Sequence, residues 1–363
     1  MLSLVTFLIV LGVLVMVHEL GHFIMARRIG VRVECFSLGF GPKIFGLKRG
    51  DTEYMISAVP LGGYVKLSGD DPTQPLKNEK SEFLSRGIGE RAAILAAGPF
   101  VNYALAFALF AFIYMTGNPT LTTEIGGLLP DYPARAAGLL AGDTVISADG
   151  IPVRYWEDLT EIIHKKTSGD INFAIKRQGK IFDIKITPNV KSQRDVFGNE
   201  TKTALIGIMP SEKIEKARYS IGEAFTRSFR KLTQLTVVTY KAMWSIITRR
   251  LSIRDSMTGP LGIFVISGKA AHMGLIYILH FMAVLSTSLA IFNLFPMPVL
   301  DGGHMMFLLL EKIMGRPLKA RTQSAITNFS VAILVVLTLY ICYIDIGRFQ
   351  LAEKVLKIIR RGE

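Results

Sequence analysis

The run from Leu2 to Met25 is apolar almost throughout, yet it carries His18-Glu19-Leu20-Gly21-His22 near its end. At 1.5 Å per residue such a run makes about 36 Å of helix, enough to cross a hydrocarbon core roughly 30 Å thick. Ionisable groups are costly there and by default are kept for function. Three further stretches are long enough to span: Ile94 to Met115, Leu275 to Phe295 and Ala325 to Ile344. With 50% of its 363 residues hydrophobic and only 20% charged, the chain is expected to be an α-helical polytopic membrane protein with four transmembrane helices. No basic segment precedes the first run and no small-residue cleavage site follows it, so it is expected to be a retained span rather than a signal peptide.

Lys and Arg set the expected orientation. The segment from Arg27 to Arg91 is dense in them, as is the short stretch holding Lys312, Arg316, Lys319 and Arg321, which predicts both to be cytoplasmic and both termini extracytoplasmic. The basic segment between the second and third spans does not disturb this, because long domains translocate largely regardless of charge. The net charge of +13 is spread over several segments without an aromatic-interleaved patch or a DNA-binding motif. Membrane flanking accounts for it, and no nucleic-acid partner is expected. Cys35 and Cys342 offer no disulfide framework.

His18 and His22, four residues apart, project from one helical face about 6 Å apart along the axis, with Glu19 beside them. In H-E-x-x-H a divalent zinc ion takes one nitrogen from each histidine, and the adjacent carboxylate reaches the attacking water as general base. Two histidines leave the site incomplete. The third span ends in Asn293-Leu-Phe-Pro296-Met-Pro298-Val-Leu-Asp301-Gly-Gly-His304, and Asp301 is the candidate third ligand. Spans one and three share parity, and His18 and Asp301 both lie on the order of 13 to 17 Å of helical rise from their basic flanks, so they reach one depth. Pro296 and Pro298 break the helix, which a bilayer tolerates only where protein or a water-filled cavity surrounds the freed backbone.

These two motifs together resemble the site-2 protease family of intramembrane zinc metalloproteases, and more narrowly its bacterial RseP-like branch. Gly39-Phe40-Gly41-Pro42, Pro60-Leu61-Gly62-Gly63-Tyr64-Val65-Lys66 and Ala97-Gly98-Pro99-x-x-Asn102 extend the similarity along most of the chain. The resemblance implies Zn2+ as cofactor, held by His18, His22 and Asp301, with Glu19 as catalytic base. It also implies that Asn293 and the Pro296 to Pro298 backbone hold the substrate strand. Asn102 matches the family pattern and is given no catalytic role. The expected substrates are single-span membrane-anchored regulators such as an anti-sigma factor, already trimmed by another protease, in a bacterial inner membrane.

Alternation at Val31, Val33 and Cys35 and again at Tyr54, Ile56 and Ala58 predicts a small membrane-associated β-structure over 30–67. Directly after the zinc helix, such a sheet edge is placed to hold an unwound substrate segment by strand addition. A nucleotide-binding loop is not expected at Gly39, since neither G-x-G-x-x-G nor a following amphipathic helix is present.

Ile125-Gly126-Gly127-Leu128, Pro133-Ala134, Ala137-Gly138-Leu139 and Gly142-Asp143-x-Val145-Ile146 resemble a PDZ domain of the permuted bacterial kind. It would be one extracytoplasmic α/β domain over 117–212, with room for one copy where tandem pairs are common in this branch. Its expected groove is Ile125, Gly126, Gly127 and Leu128, and its expected partner a peptide C-terminus; a steric gate without ligand remains the other reading.

Residues 213–274 are read as an amphipathic helix, with Phe225, Phe229, Leu232, Leu235, Thr239, Met243 and Ile247 on one face, followed by a linker. The protease core is completed by 1–116 and 275–347, and 348–363 form a basic tail. His280 is expected in the opposite leaflet, about 31 Å from Asp301 if helical. His304 is set aside because a fourth protein ligand would close the position that catalysis keeps open. Two other functions remain on this sequence: a membrane metal carrier or sensor, and a PDZ scaffold without catalysis.

Overall fold

The computed structural model describes residues 2–75, 77, 79–194, 197 and 200–350. Most of the basic tail, from 351 onward, lies outside them. Within the described residues the chain forms two compact units: 2–112 with 225–240 and 253–350, and 113–224 with 241–252.

Four helices of the first unit are long and apolar enough to cross a membrane: α1 (Leu2–Ile29), α2 (Ile88–Thr116), which continues a few residues past that unit, α8 (Leu275–Asn293) and α10 (Ala320–Arg348). Each coincides with an expected span. The sequence-derived limits fall short at charged ends, because α1 runs on through Arg27 and Arg28 and α2 begins before Arg91.

Between α1 and α2 lie β1 (Val33–Arg49) and β2 (Thr52–Leu67), where the small β-structure was expected. Val33–Leu38 is flanked on both sides, by Gly63–Leu67 (Phe36↔Val65, Ser37↔Tyr64) and by Glu53–Ile56 (Phe36↔Tyr54, Ser37↔Met55). Lys43–Arg49 folds back on Thr52–Ser57 (Arg49↔Thr52, Lys48↔Glu53). Gly63–Leu67 is therefore an outer segment of the sheet. Val31, Val33 and Leu67 pack with Ala26, Phe83 and Ile94, so one small apolar core ties the sheet to α1 and α2.

The second unit holds β3 (Asn118–Leu121), β4 (Ile125–Leu128), α3 (Pro133–Ala136), β5 (Thr144–Ala148), β6 (Ile151–Pro152) and α4 (Trp156–Lys165). It continues through β7 (Ile171–Arg177), β8 (Lys180–Ile186), β9 (Asn189–Arg194), β10 (Glu200–Leu205), β11 (Ile208–Pro210) and β12 (Ile214–Ala217). Strands β6-β5-β7-β8 form a four-stranded sheet, and β4 pairs with β11, β3 with β12 and β9 with β10. Ile125, Leu159, Ile163, Phe173, Ile175 and Ile186 fill one core, each contributing about 1.5–3 kcal/mol on full burial. Buried Asp143 is held by Arg177, with Nε–Oδ1 and Nη2–Oδ2 both 2.7 Å. That guanidinium keeps its carboxyl below the usual carboxylate range.

The remaining helices are α5 (Ile221–Ile247), α6 (Ile253–Ser256), α7 (Pro260–Met273) and, after α8, α9 (Asp301–Met314). α5 opens with a capping box between Ser220 and Glu223. Its Phe225 meets Phe107 of α2 edge-on at 5.2 Å, and its Thr236 hydroxyl lies 3.1 Å from that of Tyr103. Through these contacts it packs on α2.

Where a linker was expected, α7 lies against α1: Gly268 sits so close to Ser3 that a Cβ would come within 2.6 Å of its Oγ, and Phe264 meets Phe7 edge-on at 5.8 Å. At 14 residues α7 is too short to span a bilayer, which is why its sequence gave no span signal.

Candidate metal centre

His18 and His22 are both buried on α1, one turn apart. Their Nε2 atoms lie 3.1 Å from each other. Oδ2 of Asp301, the first residue of α9, lies 3.1 Å from His18 Nε2 and 3.5 Å from His22 Nε2. Among the described residues these three form the one group of His, Cys, Asp or Glu with metal-binding spacing, their ligand atoms all within 4.8 Å of one another. A tetrahedral ion held at about 2.1 Å by each ligand separates neighbouring ligands by about 3.4 Å. Two neutral nitrogens and a carboxylate at these distances fit zinc.

Each approach depends on glycines. A Cβ on Gly98 of α2 would stand 2.3 Å from His22 Nε2 and 2.8 Å from His18 Cε1, and one on Gly21 would meet the Ala97 carbonyl oxygen at 2.5 Å. Only helices without side chains at these points cross closely enough to press α2 against the imidazoles. The broken stretch after α8 works in the same way. Cβ atoms on Gly302 and Gly303 would collide with the backbone of Leu294–Phe295 and of Met297, at 2.4 and 2.1 Å. Asp301-Gly-Gly is therefore what lets α9 start folded tightly on the proline turn, with its first side chain aimed at the histidines.

The ring nitrogens facing away from the ligand cluster also have neighbours. His22 Nδ1 is 2.8 Å from the Ile94 carbonyl oxygen, an acceptor that fixes its proton on Nδ1 and leaves Nε2 for a metal. His18 Nδ1 faces the amides of Asn102 at 3.3 Å and Asn293 at 3.4 Å.

The cluster opens into a cavity of about 700 Å³. Glu19 lines it, one residue from His18, with the Val65 amide facing its carboxylate. The outer sheet segment forms another wall through Gly62, Gly63, Tyr64 and Val65, and Asn293, Val299 and Leu300 a third. Pro296 and Pro298 are not among the lining residues; they shape the turn that presents Val299 and Leu300. Asp70 also lines the cavity, and burial pushes its carboxyl above the ordinary range.

His304 lines the cavity but is outside the ligand cluster. His280 packs edge-on to Phe110 at 5.4 Å and is likewise outside it. Gly98 and Asn102 are the site residues whose roles the sequence did not disclose.

The expected PDZ groove residues Ile125, Gly126, Gly127 and Leu128 make up β4. Ile125–Leu128 pairs along one edge with β11, and Gly126 lies so close to Pro210 that a Cβ would come within 2.4 Å of its carbonyl oxygen. At its other edge Ile125 exchanges hydrogen bonds with Asp143 and Gly142, both 2.8 Å. Ile125 itself is fully buried. Ile125 is thus held on one side by β11 and on the other by the Gly142–Asp143 segment.

Two imidazoles and a carboxylate converging among apolar helices, with a glutamate beside them and a cleft in front, define a metal-dependent hydrolase. The model of Peptidase family M50 matches residues 6–337. A provisionally named zinc metalloprotease of Rhizobium meliloti (strain 1021) is 33% identical over 94% of this chain and 96% of its own length. One from Clostridium acetobutylicum is 31% identical, covering 95% and 97%. The zinc metalloprotease RasP of Geobacillus kaustophilus is 29% identical, covering 96% and 99%. The chain belongs to Peptidase family M50, the site-2 protease family, and is a zinc metalloprotease. Among solved structures, the PDZ domain of an SdrC-like protein from Listeria monocytogenes aligns with 24% of this chain and 86% of its own at 24% identity. Its TM-score is 0.20, a level from which no fold is inferred.

Proposed function

We propose that this protein hydrolyses a peptide bond within or near the membrane segment of single-span bacterial regulatory proteins, with His18, His22 and Asp301 as zinc ligands and Glu19 as general base. The observation that carries the reading is the convergence of the three ligand atoms in the cavity that Glu19 also lines. Held by His18, His22 and Asp301, zinc would supply Lewis-acid chemistry, making water more acidic and a carbonyl more electrophilic. Glu19 takes the proton of the attacking water and returns it to the leaving amine.

A transmembrane helix hides its peptide groups in its own hydrogen bonds, so the reactive segment has to be extended. The outer segment Gly63–Leu67 along the cavity supports binding of that segment by strand addition. Asn293 steadies it from another wall of the cavity, near the turn made by Pro296 and Pro298. The charge distribution supports a multi-pass placement in the inner membrane with cytoplasmic β1–β2 and extracytoplasmic termini. The unit carrying the PDZ-like sequence pattern is extracytoplasmic on this reading, where it takes a peptide end or bars bulky chains; an anti-sigma factor already shortened by another protease is a substrate of that kind.

Purified protein in detergent, mixed with single-span reporters, tests the chemistry. Wild type should release new fragments, and chelator-treated protein none. Glu19→Gln should bind zinc in full with turnover reduced at least 10²-fold, whereas Asp301→Ala should lose zinc as well. Full turnover by Glu19→Gln removes the proposed base.

A further inference from the structure

Asn102 is completely buried in the middle of α2. A hydroxyl of α8 holds its backbone, with Ser286 Oγ donating to the Asn102 carbonyl at 2.8 Å. Its side chain reaches across to α1, where Nδ2 stands 3.3 Å from His18 Nδ1, while its Oδ1 is buried with no hydrogen-bond partner among the described residues.

The protonation of His18 decides what this contact is. Its Nε2 belongs to the cluster with His22 Nε2 and Asp301 Oδ2. A neutral imidazole that offers Nε2 to a metal carries its proton on Nδ1, which then donates. An amide NH2 facing that N–H would set donor against donor. The two ends of a carboxamide have the same shape and are told apart by what they face. Turning the Asn102 amide over brings Oδ1 onto the Nδ1 proton. The number of unmet groups at the far end does not rise, since one orphaned oxygen becomes one orphaned NH2, and an opposed pair of donors becomes a hydrogen bond. His22 already has this arrangement through the Ile94 carbonyl. Asn293 is 3.4 Å from His18 Nδ1 and 3.3 Å from Nε2, so it is not aimed at Nδ1 alone.

We infer that Asn102 is a positioning residue for the metal centre: its Oδ1 accepts the Nδ1 proton of His18, fixing the tautomer and ring orientation that present Nε2 to zinc. The inference rests on His18 being a ligand as proposed above. Helix α2 then supplies an acceptor to each histidine, Ile94 two turns before Asn102, with both imidazoles close against Gly98 between them.

Zinc affinity by chelator competition on the full chain in detergent tests this without reference to activity. Asn102→Asp keeps an acceptor oxygen and should bind zinc within about threefold of wild type. Asn102→Leu has similar volume and no acceptor, and should bind 10–100-fold more weakly. His18→Ala should lose high-affinity zinc; if it does not, the ligand assignment itself fails. Loss of zinc in His18→Ala with wild-type affinity in Asn102→Leu would overturn the role of Asn102 alone. Equal weakening in Asn102→Asp and Asn102→Leu would also overturn it, since the acceptor then makes no difference. Should Asn102→Leu fail to fold, imidazole 15N shifts of the zinc-loaded wild type decide. A protonated, exchange-protected Nδ1 on His18 is expected, and coordination through Nδ1 refutes the inference.

Discussion

A methyl group on Gly98 would lie 2.3 Å from His22 Nε2 and 2.8 Å from His18 Cε1, distances at which one imidazole or the whole helix has to move. Gly98→Ala is therefore expected to weaken zinc binding at least tenfold, while costing the helix nothing in intrinsic propensity, since alanine is the better helix former. Chelator competition read beside the thermal midpoint of the zinc-free protein checks it; unchanged affinity would mean that α2 does not press on the ligands.

Gly98 and Asn102 also mark what the sequence withholds at this scale. His18, Glu19 and His22 declare themselves because their geometry is local, set by the pitch of one helix. Asp301 is reached by matching its depth to theirs. Asn102 acts on a residue 84 positions away and Gly98 acts by lacking a side chain, and neither leaves a periodic or compositional trace.

Helix α7 begins at Gly259 and Pro260 without a side-chain cap of its own. The cap comes from α10: the carboxylate of buried Asp345 accepts the Gly259 amide at 3.0 Å and the Gly262 amide at 2.8 Å. Arg348, a turn further on, donates to the Met257 carbonyl at 2.9 Å. A carboxylate at a helix N-terminus meets both the unpaired amides and the positive end of the helix dipole. Asp345→Ala would orphan two amides, at a cost of about 1–3 kcal/mol each. The expected result is a lower thermal midpoint in detergent and faster amide exchange in the first turn of α7, with Asp345→Asn intermediate. Normal protection of Gly262 in Asp345→Ala would show that the helix start is held in some other way. Reading 213–274 as helix plus linker missed α7 for a related reason. Its mixture of apolar and small residues packs on α1, α8 and α10, so no single stripe announces a helix. The broken end of α8, by contrast, was legible, because proline removes donors wherever it stands.

For the molecule as a whole, the proposed membrane orientation rests on the balance between two basic regions. The segment joining α1 to α2 carries Arg32, Lys43, Lys48, Arg49 and Lys66 within β1 and β2 or next to them, close to two span ends. The segment joining α2 to α8 is also basic but far longer than the roughly 60 residues over which loop charge directs insertion. On the proposed topology short-loop charge outweighs the longer segment, and an even number of spans would return the C-terminus to the side of the N-terminus. Impermeant thiol reagents applied to intact cells test this on a chain in which Cys35 and Cys342 are replaced by alanine. Asp51 and Lys180 are exposed, at the β1–β2 turn and at the start of β8. Lys180→Cys should label from outside without treatment, and Asp51→Cys only after permeabilisation. The reverse pattern would invert the topology and put the β1–β2 sheet outside the cell. Labelling of both positions in intact cells would break the span assignment itself, because α1 and α2 at about 42 and 44 Å leave no route for both to face one compartment if α2 crosses the bilayer.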